Sequence, residues 1–211
     1  MANGGRVSYL EVPSLRMEAT LPRATWFCVD IECSGPIPAW YDMISIGAVD
    51  VAERDGVRAI GETFYAEIKP TGPAVDPGAM KVNKLDIDSL RRAGRDLSAV
   101  LADLTEWVGS RTVAGSKPVF VGHNAPFDWS FVSYAYHVHR LPNPFGYKAL
   151  DTKALAMGGL GLHWFDTNKE VLEERLSLPR PVADQIHRAD YDAWYQAHIL
   201  KALLDRLGAA D

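Results

Sequence analysis

Apolar residues run from Trp26 to Val29 and then give way to two acids one residue apart, Asp30 and Glu32. Side chains on a strand alternate between faces, so this stretch predicts a strand with both acids projecting the same way at its end. Gly35-Pro36 then turns the chain off the sheet, placing the pair at a rim. Residues 42–53 predict a second strand with Ile44, Ile46, Ala48 and Val49 as its apolar content, and Arg54-Asp55-Gly56 a turn. Residues 62–70 alternate Phe64, Ala66 and Ile68 and predict a third strand closing an antiparallel meander, with a loop over 71–80.

Helical spacing follows. Asp96 is the expected cap of a helix carrying Leu97, Val100, Leu101, Leu104 and Val108, stopped by Gly109. Residues 118–121 predict a short buried strand. Pro126 opens a helix with Phe127, Phe131, Val132, Ala135 and Val138 on one stripe. Residues 147–150 predict an edge strand, Asp151-Thr152 the cap of a short helix, and residues 164–176 a further helix ended by Pro179-Arg180-Pro181. The last helix is predicted over 188–207, with Ala193, Ala197, Leu200, Leu204 and Leu207 inward and Asp190 as its N-cap. Three strands followed by strands interleaved with helices predict an α/β fold with a mixed sheet, antiparallel first and then parallel.

The chain of 211 residues suffices for one domain, expected over 23–211, behind a loosely held N-terminal arm over 1–22. No apolar run reaches the roughly 20 residues that span a bilayer, and no signal peptide opens the chain; a cytoplasmic protein without membrane association is expected. The net charge of −5 argues against gripping nucleic acid by a broad basic face, though not against holding a few phosphates through metal ions. Lys81, Lys84, Arg91, Arg92 and Arg95 form a basic stretch that either tracks a phosphate backbone or is a solvated face. Cys28 and Cys33, roughly 16 Å apart along an extended strand, cannot bridge and are expected as reduced thiols.

Two further acidic segments have the form to meet Asp30 and Glu32. In His123-Asn124-Ala125-Pro126-Phe127-Asp128, the aspartate falls in the first turn of its helix, in line with Phe131, Val132 and Ala135. In His187-Arg188-Ala189-Asp190-Tyr191-Asp192, the second aspartate shares a line with Ile199 and Leu203, while His187 stands just ahead of the helix. Four inward carboxylates need compensation, and divalent hard cations held by oxygen ligands supply it. Two such ions can clamp a phosphodiester, and a histidine beside them can take a proton from water.

Taken together, Asp30-x-Glu32, His123-Asn124-x-x-Phe127-Asp128 and His187-x-x-x-x-Asp192 resemble, in order and spacing, the three motifs of the DEDDh (DnaQ-like) 3′→5′ exonucleases. The resemblance runs from about Thr25 to Leu207. It implies a ribonuclease-H-like fold and hydrolysis of single-stranded DNA or RNA 3′ ends to nucleoside 5′-monophosphates. By similarity, Asp30, Glu32, Asp128 and Asp192 would hold two ions, Mg²⁺ or Mn²⁺, with Asp30 bridging them and His187 as general base. Main-chain groups of Cys33 and Ser34 would hold the terminal nucleotide, with Asn124 as a further substrate contact. His123 would support its motif by hydrogen bonds.

Cys33-Ser34 stands where many relatives carry Thr-Thr, and the loop containing Trp40 and Tyr41 is aromatic where many are charged. These two rings either stack on a terminal base or plug the core beside the first strand. A homodimer and a polymerase-associated partner both fit the resemblance. The alternative is a catalytically silent binding or scaffold module of the same fold. Retention of all five polar residues favours an enzyme.

Overall fold

The structure, a computed structural model, describes residues 23–208, so the expected arm over 1–22 lies outside the described residues. Strands β1 (Arg23–Cys33), β2 (Met43–Arg54) and β3 (Val57–Glu67) form the antiparallel meander. β4 (Ser116–Gly122) then adds parallel to β1, and β5 (Ala149–Asp151) parallel to β4. The resulting order is β3-β2-β1-β4-β5, the mixed sheet expected.

One face of the sheet is covered by α3 (Leu97–Arg111) and α4 (Ala125–Val138), over a core that includes Phe27, Val29, Ile31 and Phe120. The other face is covered by α7 (Ala189–Leu207), whose Ala193, Ala197, Leu200 and Leu204 pack on Cys28, Val49 and Val121. Outside α7 lie α5 (Thr152–Leu160), a 3₁₀ turn (Trp164–Asp166) and α6 (Lys169–Leu176), joined to it through Ala156, Leu172, Tyr195 and Ile199. The alternation of β1 therefore assigns its odd residues to α3 and α4 and its even residues to α7. Asp30 and Glu32 continue the row that Cys28 begins.

The backbone departs from the sequence expectations in identifiable places. β3 starts at Val57 rather than residue 62, because Gly61 interrupts its pattern: the Asp50 carboxyl group fills the space a Cβ there would occupy. Within the expected loop over 71–80 begins α1 (Pro77–Asn83), and α2 (Ile87–Ala93) follows it. Pro77 and Gly78 read as breakers, yet proline suits the first turn of a helix, and Asp76 caps it by accepting from the Ala79 N–H at 3.0 Å. α3 passes through Gly109 to Arg111, at a cost of about 1 kcal/mol for an exposed helical glycine.

The helix expected over 164–176 splits at Thr167, whose hydroxyl donates back to the Trp164 carbonyl at 2.6 Å. The N-cap of α7 is Arg188 and not Asp190, which lies in the first turn and pairs with Arg188 at 2.9 Å. Leu207, Val138 and Phe127, expected inward, sit partly exposed at the margins of their helices. Arg91 pairs with Asp88 and Arg95 with Asp103, so these two members of the basic stretch are surface ion-pair partners.

Candidate active site

The acids converge because three elements end at the same edge of the sheet. Asp30 and Glu32 come from the last residues of β1 and face α7, beside a bulge in the β1–β2 register at Glu32/Cys33. Asp30 is paired in register with Gly47 of β2, and a Cβ on Gly47 would lie 2.2 Å from the Ala189 carbonyl oxygen. A glycine there lets the first turn of α7 settle on the sheet, which brings Asp192 to the strand. Asp128 arrives from α4 on the opposite layer and, buried, accepts from the Ile31 N–H at 3.2 Å.

Asp192 is buried and doubly held. Its Oδ2 accepts from the His187 N–H at 2.7 Å and its Oδ1 from the Lys169 Nζ at 2.6 Å. The first bond fixes the backbone of His187, which has φ of 68°, and leaves its ring exposed. Ligand atoms of Glu32, His187 and Asp192 all lie within 4.8 Å of one another. Gln196, one turn beyond Asp192, donates from Nε2 to Asp30 Oδ1 at 2.7 Å. Among the described residues the Glu32 carboxylate accepts no hydrogen bond.

The electrostatics follow from this crowding. Loss of solvent, together with Asp128 and Asp192, holds the Asp30 pKa well above the usual carboxylate range. Desolvation and Asp30 push Glu32 up to about 9. Burial raises Asp128 despite its backbone hydrogen bond. Burial works against the Lys169 ammonium, but Asp30, Asp192 and Asp128 outweigh it and hold its pKa above the ordinary value. One ammonium thus faces four acids, and the donor set of hard carboxylate oxygens fits Mg²⁺ or Mn²⁺.

Residues 25–204 match the family described as the 3'-5' exoribonuclease Rv2179c-like domain. The chain belongs to this family. It is 37% identical over 179 residues to the 3'-5' DNA exonuclease Cap18 of Escherichia coli, covering 85% of this chain and 90% of that one. It is 27% identical over 134 residues to Ribonuclease T of Histophilus somni, covering 61% and 62% of the two chains. Among solved structures, the nuclease domain of 3'hExo, a DEDDh family member bound to rAMP, superposes with a TM-score of 0.71 at 14% identity, over 92% of this chain and 96% of that one. Escherichia coli Exonuclease I in complex with a dT13 oligonucleotide superposes with 0.66 at 19% identity, over 87% and 42%. This Rv2179c-like protein is accordingly a 3′→5′ exonuclease with the ribonuclease-H-like DEDDh fold.

Beyond the five motif residues, the structure places the expected substrate contacts apart. Cys33 lines an apolar cleft of about 380 Å³ beside Glu32, walled by Pro36, Ala79, Val82 and Phe127. Its thiol is buried, and its carbonyl accepts from Asn83 Nδ2 at 3.1 Å. Ser34 has turned inward: its hydroxyl accepts from the Asp42 N–H at 2.9 Å and donates to the Ala74 carbonyl at 3.1 Å. Its N–H donates to the Asp42 carbonyl and its carbonyl accepts from the Asp76 N–H. Ser34 thus braces the loop with both its hydroxyl and its main-chain groups.

Trp40 and Tyr41 line a different hollow of about 440 Å³, floored by Phe131 and Ala135, that shares no residue with the cleft. Trp40 is 71% exposed, so it does not plug the core, whereas the Tyr41 ring packs over Gly35. Asn124 sits in the left-handed region at φ 73°, its N–H given to Asp151 Oδ1, and lines a third pocket with His123 and Lys169. His123 Nδ1 lies 2.9 Å from the Thr152 hydroxyl, and burial and two nearby lysines push its pKa down to about 3.

Sequence reasoning missed Lys169, Gln196, Gly47 and the exposed position of Phe127. Gln196 was findable, since four residues after Asp192 is the same helix face. Lys169 was not, being 23 residues away on another helix.

Proposed function

We propose that this exonuclease removes nucleotides from the 3′ ends of single-stranded DNA and RNA as nucleoside 5′-monophosphates, with two divalent cations at the four acids. The observation that carries the reading is the convergence of Asp30, Glu32, Asp128 and Asp192, with His187 beside them, onto a single ammonium, that of Lys169. Ions held there, Asp30 reaching both, Glu32 and Asp192 completing one set and Asp128 the other, would supply the charge that polarises water and steadies the phosphodiester.

The remaining work falls to the chain. Gln196 orients Asp30 by holding one oxygen, and Asp192 ties the His187 backbone to the acids, so base and ligands move as one unit. The exposed imidazole is the general base, able to take a proton from water at the acids and pass it to solvent. The cleft beside Glu32 takes the terminal nucleoside, with the Phe127 ring as one wall. Asn83, the amide in that cleft, has its Nδ2 on Cys33 and its Oδ1 on the Leu85 N–H, so it is not set aside to read a 2′-hydroxyl. Supporting both sugars, the family is described as an exoribonuclease and the Escherichia coli relative as a DNA exonuclease.

The test is parallel digestion of matched 5′-labelled DNA and RNA oligonucleotides with Mg²⁺, Mn²⁺ or chelator. Stepwise shortening from the 3′ end in either cation, stopped by chelator, is expected on both. Internal cuts, or activity that survives chelation, would overturn the reading.

A further inference from the structure

Joined to the acids through Lys169, and sharing no residue with the apolar cleft, lies an open pocket of about 490 Å³ that the proposed chemistry does not use. Its floor is Lys153, in the first turn of α5. Although only 9% exposed, its Nζ donates to a neutral acceptor, Asn168 Oδ1 at 2.8 Å, and lies 5.3 Å from the centre of the Trp164 ring. Among the described residues no carboxylate pairs with it. A buried ammonium with donors to spare and no counter-ion is costly unless an anion completes it.

The surroundings point to the same occupant. Asn168 is the N-cap of α6 but makes no capping bond, its oxygen being turned to Lys153, so the first-turn N–H groups of α6 lack a side-chain partner at the pocket's edge. Lys169 lines the same pocket and reaches Asp192, which joins the pocket to the acids. Trp164 is 40% exposed at its rim. One acid, Glu170, also lines the pocket, in the first turn of α6 where the helix dipole tolerates it.

We propose that Lys153, Asn168 and Trp164 form a subsite for the second nucleotide from the 3′ end, with Lys153 on the phosphate 5′ to the scissile one and Trp164 against a base. The proposal rests on the reading of this protein as an exonuclease on single-stranded ends, and it gives the strand a direction. The terminal nucleoside enters the apolar cleft, the scissile phosphate meets the acids, and the next phosphate crosses to the cationic pocket. An ammonium is the suitable group, since it neutralises a phosphate without reading sequence.

The experiment compares first-cleavage kcat/KM on the dinucleotide TpT, which has only the scissile phosphate, and the trinucleotide TpTpT, with the ribonucleotide pair run alongside. The wild type should favour the trinucleotide by about tenfold or more, mainly through KM, as expected for a charge-assisted contact. Lys153→Met should bring that ratio close to one while leaving the dinucleotide rate unchanged, and Trp164→Ala should lower it partly. A trinucleotide whose second phosphate is a neutral methylphosphonate tests the wild type directly, and should behave as the dinucleotide does. A retained ratio in Lys153→Met, or no loss with the methylphosphonate, overturns the subsite. Long single strands that are digested with no trinucleotide preference also overturn it, while the exonuclease reading stands. Failure of the wild type on long single strands takes both down.

Discussion

Asp50 on β2 and Asp30 on β1 are acids of neighbouring strands, yet the protein surrounds them in opposite ways. Asp50 is fully buried. Its Oδ1 accepts from Arg111 Nε at 2.9 Å and from the Glu62 N–H at 2.9 Å, and its Oδ2 pairs with Arg54. Two guanidinium groups and a backbone donor thus serve one carboxylate. At the other end of the sheet four carboxylates share Lys169 and a few neutral donors. An acid that only holds the fold together is completed by the chain itself. An acid kept short of positive charge at a cleft is there for something that brings the charge with it.

The comparison breaks or sharpens most at the two aspartates themselves. Asp30→Asn should abolish nucleotide release while the metal-free protein unfolds at an equal or higher temperature, because one of the repelling acids is gone. Asp50→Asn should do the reverse, costing about 3 kcal/mol of stability by stranding two guanidinium groups while specific activity of the folded fraction persists. Product release and thermal unfolding of both variants measure it. A stabilising Asp50→Asn would remove the contrast.

The two histidines offer the next test. His187→Ala should lower turnover at neutral pH by roughly 10²–10⁴-fold and change the shape of the pH–rate profile. His123→Gln should leave the profile as in the wild type, since a group whose pKa is pushed down to about 3 keeps one charge state across neutral pH. Turnover against pH at saturating Mg²⁺ separates them, and an unchanged profile in His187→Ala would reassign the base.

Stability against pH probes the acids without catalysis. Glu32 has its pKa raised from 4.5 to about 9 in the folded protein, so the folded state binds more protons than the unfolded one across that window. Its contribution is fully present below about 4.5 and is lost as pH rises through about 9; Asp30 and Asp128, also raised, act in the same sense. The chelated protein should therefore lose unfolding temperature from mildly acid to alkaline pH. Saturating Mn²⁺ should flatten the slope, because bound cations replace the protons. Equal slopes with and without the ion would contradict a metal site there.

The smallest effect expected is at Asp190. Asp190, half-buried in the first turn of α7, pairs with the exposed Arg188 rather than capping the helix, so Asp190→Ala should cost about 1 kcal/mol or less and spare activity. Chemical denaturation and product release check this, and a loss comparable to that of Asp192→Ala would mean the first turn of α7 has a different register.

What the chain declared by itself was whatever repeats at short range. The period-two rows of β1 and β2, the stripes of α3, α4 and α7, and the facing of Asp128 and Asp192 all follow from spacing within one element, because side-chain direction is set locally. Three motifs in the right order then supplied the long-range assembly by resemblance. Other features depended on which elements meet. Short α1 and α2 carry too few residues for a period to emerge, and Pro77 and Gly78 read as breakers although Asp76 caps α1, as Asp86 caps α2. Asp190 looked like the cap of α7 because type and position suited it. The capping-like bond went instead to Asp192, which reaches back to the His187 N–H. Lys169, Gly47 and the inward turn of Ser34 were decided only by the tertiary structure. Each answers to a partner brought close by the packing of α6, α7 and the loops onto the sheet edge: a carboxylate, a helix backbone and a loop carbonyl. No local pattern encodes the position of such a partner.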